Sequence, residues 1–198
     1  MLQWYATVDP AVGYCQGMGF LVGMLLTYLV DEDAFYCFYA AMQFPRYNLR
    51  DLFHPSMKGS RQMIYTFGQL MKLHMGRLHR HMTEQGVYPS MYVTGWLMTL
   101  FSRDFSFDLC TRVWEIFLSE GVKIVYRVCL ALLKNIESKL LAMPFEEILT
   151  TIRNIPATVD APHIIELGCA LSVRRRELAA ISVKFNKMLD SGNTDEIY

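Results

Sequence analysis

Helical periodicity constrains this chain more than any other feature of its sequence. Apolar residues recur three or four positions apart almost from end to end, and no segment shows the strict alternation typical of a half-buried strand. With 53% hydrophobic residues among 198, the chain has enough apolar surface to bury a substantial core. The sequence therefore predicts an all-α fold, a single domain of about seven or eight helices.

The predicted helices follow one another with short connections. They cover residues 12–29, 34–44, 56–85, 89–101, 107–120, 122–136, 145–154 and 163–189. The first is apolar on almost all faces, which is typical of a central helix packed on every side. Its stretch from Tyr14 to Val30 carries no formal charge. A membrane span there is the alternative, but three glycines and Gln16 within it favour a core helix.

Composition and simple motifs exclude several chemistries. Lys and Arg number 19, and so do Asp and Glu, so no net charge favours nucleic acid as a partner. The chain has no GxxxxGK[ST], GxGxxG, HExxH or paired CxxC, so we expect no phosphate-binding loop, no metal and no cofactor of its own. His74 and His81 share a helix face, but no third ligand accompanies them.

Three segments carry a more specific signal. Residues 9–18 read DPAVGYCQGM, residues 89–101 read PSMYVTGWLMTLF, and residues 112–128 read RVWEIFLSEGVKIVYRV. In this order and at these distances they resemble the signature blocks of the TBC domain, the helical module that accelerates GTP hydrolysis on Rab-type small GTPases. The resemblance runs from residue 1 to about residue 185 and is nearest to the Evi5-like branch.

The resemblance implies a catalytic role for Gln16. In TBC domains the glutamine of this block orients the water that attacks GTP, and an amide suits that role because it both donates and accepts hydrogen bonds. Tyr14 would help to hold the loop, and Gly13 and Gly17 would let the backbone approach the nucleotide. Without the family, Gln16 would be interpreted as a polar residue at a helix start, satisfied by local backbone groups.

The other two blocks imply supporting roles. Tyr92 and Trp96 are candidates for contact with the GTPase, with packing in the core or cleft wall as the alternative. A third set of residues is expected to fix the geometry of the helices: Arg112, Trp114, Glu115, Gly121 and Arg127. Among these, Arg112, Glu115 and Arg127 are predicted to be buried or half-buried pairing groups. Glu115 stands where the family usually has Asp.

One expected part is absent from the 198 residues. The family's arginine finger closes an IxxDxxR motif upstream of the glutamine block, and no such motif occurs here. Arg46 and Arg50 lie in a predicted connection and match no motif. Residues 1–189 therefore resemble the C-terminal two-thirds of a TBC domain, followed by a flexible tail at 190–198.

The resemblance implies a GTPase-activating protein that acts on GTP and Mg²⁺ bound to a Rab-type partner. Without an arginine finger, acceleration by this chain is expected to be weak. A TBC-like module that binds a Rab without catalysis is the alternative. The expected location is cytoplasmic, with membrane contact only indirectly, through the partner on endomembranes. A helical membrane protein built around residues 14–30 is the third reading.

Overall fold

The fold is helical throughout, as the periodicity predicts. The computed structural model describes residues 1–47 and 49–192, and this range contains thirteen α-helices, one 3₁₀ turn and no strand. The helices are α1 (Leu2–Val8), α2 (Met18–Leu26), α3 (Asp31–Gln43), α4 (Leu49–Phe53), α5 (Lys58–His74), α6 (Gly76–Glu84), α7 (Val93–Thr99), α8 (Phe107–Glu120), α9 (Lys123–Asn135), α10 (Glu137–Leu140), α11 (Phe145–Thr158), α12 (Ala161–Ala170) and α13 (Arg175–Asp190). The 3₁₀ turn, Pro89–Met91, precedes α7.

The all-α class is confirmed, but seven or eight helices was too low a number. The predicted helix at 56–85 breaks at Met75, whose φ of −141° and ψ of 46° are not helical, just before Gly76. The predicted helix at 163–189 breaks before α13, where Glu177 accepts a hydrogen bond from the Arg174 N–H. The short helix α4 lies in a segment that the sequence predicted as a connection, and α1 lies before the first predicted helix.

The chain's C-terminal tail is only partly covered by the structure. Helix α13 ends at Asp190, close to the predicted boundary at 189. Ser191 and Gly192 form a turn, and the predicted flexible tail otherwise falls on residues 193–198, outside the described residues.

The predicted central helix at 12–29 is wrong in two respects. Helix α2 begins only at Met18, because Gly13 and Gly17 have φ values of 65° and 110° and so end any helical path. Its outward side is also uncovered, with Phe20 and Leu26 both exposed. Across residues 1–47 and 49–192, no helix combines the length and apolar character needed to cross a membrane.

The core is organised around α5 and α9 instead. Nine of the thirteen residues of α9 are buried, and α9 packs against α8 and α12. Helix α5 contacts α4, α6, α7 and α13. One hydrophobic cluster extends from Tyr5 to Met188, so helices from both ends of the chain share a single core. The segment between α1 and α2 lies at the edge of this core, beside α4 and α7.

Helix α7 ends in an unusual backbone conformation. Leu100 and Phe101 have φ values of 46° and 68°, and both side chains are fully buried. Non-glycine residues rarely adopt positive φ. The Phe101 N–H donates to the Trp96 carbonyl at 3.0 Å, which closes the end of the helix in the manner of a C-terminal cap.

Candidate functional site

Gln16 lies at the tip of a tight turn. The Met18 N–H donates to the Cys15 carbonyl at 3.2 Å, which closes a four-residue turn with Gln16 and Gly17 at its centre. Gly17 has φ 110° and ψ −32°, close to the third position of a type II turn, where glycine is preferred. The turn leaves Gln16 exposed rather than buried in a helix start. Its amide is therefore accessible to a partner molecule.

A second turn precedes it. The Asp9 carbonyl accepts hydrogen bonds from the N–H groups of Val12 and Gly13, at 3.1 and 2.8 Å. Pro10 occupies the second position of this turn, where its fixed φ is favourable. Residues 9–17, which we call the Gln16 loop, thus consist of two hydrogen-bonded turns. Tyr14 lies between them and is 62% exposed, so it does not pack beneath the loop as a buried support.

The first turn rests on a buried carboxylate. Asp9 is 8% exposed and accepts two hydrogen bonds from Arg50, from Nε at 2.7 Å and from Nη2 at 2.9 Å. The Tyr5 hydroxyl donates to the same carboxylate at 3.0 Å. The bonds from Arg50, and to a lesser degree the one from Tyr5, hold the pKa of Asp9 below its usual range, although burial opposes them. Burial and the bond to Asp9 raise the pKa of Tyr5.

The second turn rests on apolar neighbours. A Cβ atom placed ideally on Gly17 would lie 3.5 Å from the Phe53 ring and 3.8 Å from the Met98 carbonyl oxygen. The Gln16 loop is therefore flanked by α4, which carries Phe53, and by α7, which carries Met98.

Tyr92 and Trp96 form part of an aromatic chain inside the fold. Their ring centroids are 5.9 Å apart, and Trp96 also meets Phe105 at 5.6 Å. Trp96 is buried and Tyr92 is half-buried, with its hydroxyl donating to the Met71 sulfur at 3.6 Å. Burial raises the pKa of Tyr92. Both rings border a surface cavity between α7 and α11, a position consistent with the cleft-wall alternative.

The third block forms the hairpin of α8 and α9. Trp114 is buried and its indole N–H donates to the Ser102 hydroxyl at 3.1 Å. Arg127 is half-buried and pairs with Glu120 at 3.2 Å. Arg112 and Glu115 are both exposed, so their prediction as buried or half-buried groups is wrong. They lie on the outward face of α8, where Arg112 pairs with its neighbour Asp108, one turn away.

Gly121 joins the hairpin to a distant segment. It has φ 84°, and an added Cβ would collide with the Arg46 carbonyl oxygen. That carbonyl accepts the Val122 N–H at 3.1 Å, and the Arg46 guanidinium donates to the Ser119 carbonyl. Arg46 and Arg50 thus both have partners within the fold, at the end of α8 and at Asp9 respectively.

The sequence and the fold of this chain are similar to those of known proteins. The profile of the Rab-GTPase-TBC domain matches residues 1–141. This chain belongs to the Rab-GTPase-TBC domain family. The human ecotropic viral integration site 5 protein homolog is 40% identical over 149 residues, which are 75% of this chain and 18% of that protein. The predicted Evi5-like branch is thereby confirmed.

More distant TBC proteins agree with this placement. GTPase-activating protein GYP5 of Saccharomyces cerevisiae is 31% identical over 175 residues, 85% of this chain and 19% of that protein. A crystal structure of the Chlamydomonas flagellar RabGAP TBC domain superposes with a TM-score of 0.69 at 29% identity, covering 85% of this chain and 56% of that one. The chain thus spans about a fifth of the length of these two sequence relatives.

Sequence reasoning missed the groups that hold the Gln16 loop of this TBC chain. In the sequence, Asp9 is only one residue of the DPAVGYCQGM block, Tyr5 belongs to no block, and Arg50 matches no motif. Arg50 and Asp9 are 41 positions apart, so no local spacing could reveal the pair. The one available signal was an acidic residue at the start of a mostly apolar block.

Proposed function

We propose that this chain is the glutamine-bearing part of a GTPase-activating domain for Rab-type GTPases, and that Gln16 is its catalytic residue. The exposure of Gln16 at the tip of a glycine-containing turn supports this proposal most directly. The printed name of the yeast relative, a GTPase-activating protein, supports the activity. The partner is a Rab carrying GTP and Mg²⁺, and the chain reaches endomembranes from the cytoplasm through that partner.

The chemistry follows from what a Rab lacks. GTP hydrolysis is slow when the attacking water is poorly oriented and the charge of the transition state is not neutralised. The carbonyl oxygen of the Gln16 amide accepts a hydrogen bond from the attacking water, and its NH₂ group donates a hydrogen bond to a neighbouring oxygen. Together these two bonds orient the water. An amide is neutral over the whole physiological pH range, so this step adds no titration of its own. The flanking glycines keep side-chain bulk away from the nucleotide.

The cationic half of the chemistry is not evident in these residues. No IxxDxxR motif occurs, and Arg46 and Arg50 are both engaged within the fold. Because an arginine finger contributes roughly 10³–10⁵ in rate, acceleration by the 198 residues alone is weak.

The engagement of both arginines favours a second candidate, a module that binds a Rab without accelerating hydrolysis. The two candidates differ in what Gln16 contributes. In the first, Gln16→Ala abolishes the residual acceleration. In the second, no acceleration exists and Gln16→Ala leaves binding intact.

The deciding experiment is single-turnover GTP hydrolysis on a panel of purified Rab proteins. The wild-type chain should raise the hydrolysis rate of at least one Rab above its intrinsic rate, and Gln16→Ala should return it to that rate. Gln3→Ala is a matched control because Gln3 is also exposed, but lies on α1. A binding assay with the same Rab in its GTP form accompanies each variant.

The outcomes separate the candidates. Acceleration that survives Gln16→Ala contradicts the catalytic role of Gln16. Binding without acceleration by the wild-type chain supports the binding module. Acceleration as large as that of a complete GTPase-activating domain contradicts the weak activity proposed for these residues.

A further inference from the structure

We infer that α4 is a two-point clamp that fixes the conformation of the Gln16 loop, with Arg50 and Phe53 as positioning residues. Arg50 holds the first turn of the loop through Asp9, and Phe53 supports the second turn at Gly17. The inference rests on the proposed function for its consequence, because the loop presents the residue proposed to act on GTP.

The first point of the clamp is the pair between Arg50 and Asp9. Its two parallel hydrogen bonds fix orientation as well as distance, since a guanidinium matches a carboxylate in both. Asp9 passes this orientation to the loop, because its own carbonyl accepts the N–H groups of Val12 and Gly13. The side chain of Asp9 is thus held from outside while its backbone begins the first turn.

This pair differs from the other ion pairs between arginine and a carboxylate in the number of residues that separate its two partners. Arg103, Arg112 and Arg127 form ion pairs with carboxylates one, four and seven positions away. Arg50 joins a segment 41 positions away. Exposed pairs between neighbours contribute little to stability. A bidentate pair with a carboxylate, by contrast, adds geometric specificity, and here it does so between two distant segments.

The second point is the contact between Phe53 and Gly17. The Phe53 ring is buried and lies directly beside the backbone of Gly17, which follows Gln16. The hydrogen bonds at this end, from Met18 to Cys15 and from Phe20 to Gly17, are 3.2 and 3.1 Å long. Arg50 and Phe53 are three positions apart on one helix, so a single element contacts both turns.

Helix α4 can hold the loop in place only if its own position is fixed, and its packing against the core fixes it. Leu49 and Leu52 are buried beside Phe53. The start of α5 approaches so closely that a Cβ on Gly59 would collide with the Asp51 carbonyl. Since α5 is one of the two central helices, the position of α4 is set by the core.

Residue-resolved amide hydrogen exchange of the full 198-residue chain tests the clamp. Arg50→Gln should speed exchange of the Val12 and Gly13 amides by about tenfold, because Asp9, whose backbone carbonyl accepts both N–H groups, loses the charged partner of its side chain. Phe53→Leu should speed exchange of Met18 and Phe20 while leaving Val12 protected. Arg112→Gln, which removes an arginine from an exposed pair with aspartate, should change none of these amides.

The reference amides lie in α9, whose exchange should be the same in all variants. If Arg50→Gln leaves Val12 and Gly13 unchanged, or speeds α9 as much as the loop, Arg50 contributes only general stability and the clamp is refuted. Arg50→Lys keeps the charge but loses the second hydrogen bond, so its exchange rates should fall between those of wild type and Arg50→Gln.

Hydrolysis assays then connect the clamp to function. On a Rab that the wild-type chain accelerates, Arg50→Gln should lower the maximal rate toward the intrinsic rate of that Rab and leave the half-saturating concentration unchanged. A changed half-saturating concentration with an unchanged maximal rate contradicts a positioning role. If the wild-type chain accelerates no Rab, the proposed function fails, while the exchange rates still decide whether the clamp exists.

Discussion

The Gln16 loop and the hairpin of α8 and α9 are built in opposite ways, although both carry family motifs. The hairpin is held by buried side chains: Phe117 is fully buried, and its ring meets Trp114 of the same helix at 5.9 Å and Tyr47, which follows α3, at 5.1 Å. The loop has a small interior: Asp9 and Val12 are buried, but Tyr14 and Gln16 are exposed. It is held from outside, by Arg50 and Phe53. A side chain that is proposed to act on a partner, as Gln16 is, must face that partner, so its support has to come from residues behind it.

The largest expected effect is in the hairpin. Phe117→Ala should lower the free energy of unfolding by about 3–5 kcal/mol, because a fully buried ring leaves a cavity among well-packed neighbours. Urea denaturation measures the change. Phe107→Ala is the control on the same helix, and since Phe107 is 57% exposed its effect should be much smaller. Equal losses would remove the contrast between core and surface on α8.

Gly121→Ala should cause the next largest loss in the free energy of unfolding. The added Cβ would collide with the Arg46 carbonyl, and alanine is strained at φ 84°, so we expect a loss of about 2–3 kcal/mol. Gly23→Ala is the control. Gly23 is helical with open space around it, and its substitution should stabilise the chain by about 0.5–1 kcal/mol. If Gly121→Ala leaves the free energy of unfolding unchanged, the backbone at Arg46 can move aside at little cost.

A smaller effect should appear in acid and should involve the loop rather than the hairpin. Because Arg50 holds the folded pKa of Asp9 below its unfolded value of about 3.9, the ionised pair contributes stability that is complete above that value. The contribution is lost as the pH falls through the folded pKa. Thermal melts between neutral pH and acid should therefore show a wild-type advantage over Asp9→Asn that shrinks below the unfolded pKa. An advantage that persists unchanged in acid would show that the carboxylate's charge is unimportant.

Gln16→Ala should have the smallest effect on stability. An exposed side chain at a turn tip changes the free energy of unfolding by no more than about 0.5 kcal/mol. The same substitution is proposed to abolish the acceleration of GTP hydrolysis. Measuring unfolding and hydrolysis on the same variant therefore separates a role in function from a role in folding. A stability loss comparable to that of Gly121→Ala would place Gln16 among the structural residues.

The sequence predicted the helical class because that depends on a periodicity visible in any window of the chain. It also predicted local features set by neighbouring residues, such as the bounds of α8, which the structure places at Phe107 and Glu120, as the predicted helix at 107–120 has them. The sequence did not predict features that depend on contacts between residues far apart in the chain. The burial of Asp9, for example, depends on a contact with Arg50, which lies far away in the chain.

The candidate site shows the same division. Gln16 was identified through family resemblance, and its turn is set by an adjacent glycine. The exposure of Arg112 and Glu115 was not foreseen, because a motif reports which residues recur but not which face of a helix they occupy. Arg50 was judged by its lack of a motif, whereas its role comes from a contact that exists only in the folded chain.

The left-handed backbone at Leu100 and Phe101 has a consequence for the aromatic residues before it. Each such conformation costs a non-glycine residue about 1–3 kcal/mol, and burial of both side chains offsets that cost. The helix is therefore terminated by its environment rather than by a breaker residue. One more residue of helix would rotate Leu100 and Phe101 out of their present sites. The angular setting of Trp96 about the axis of α7 is thus decided downstream of it, where the chain stops being helical.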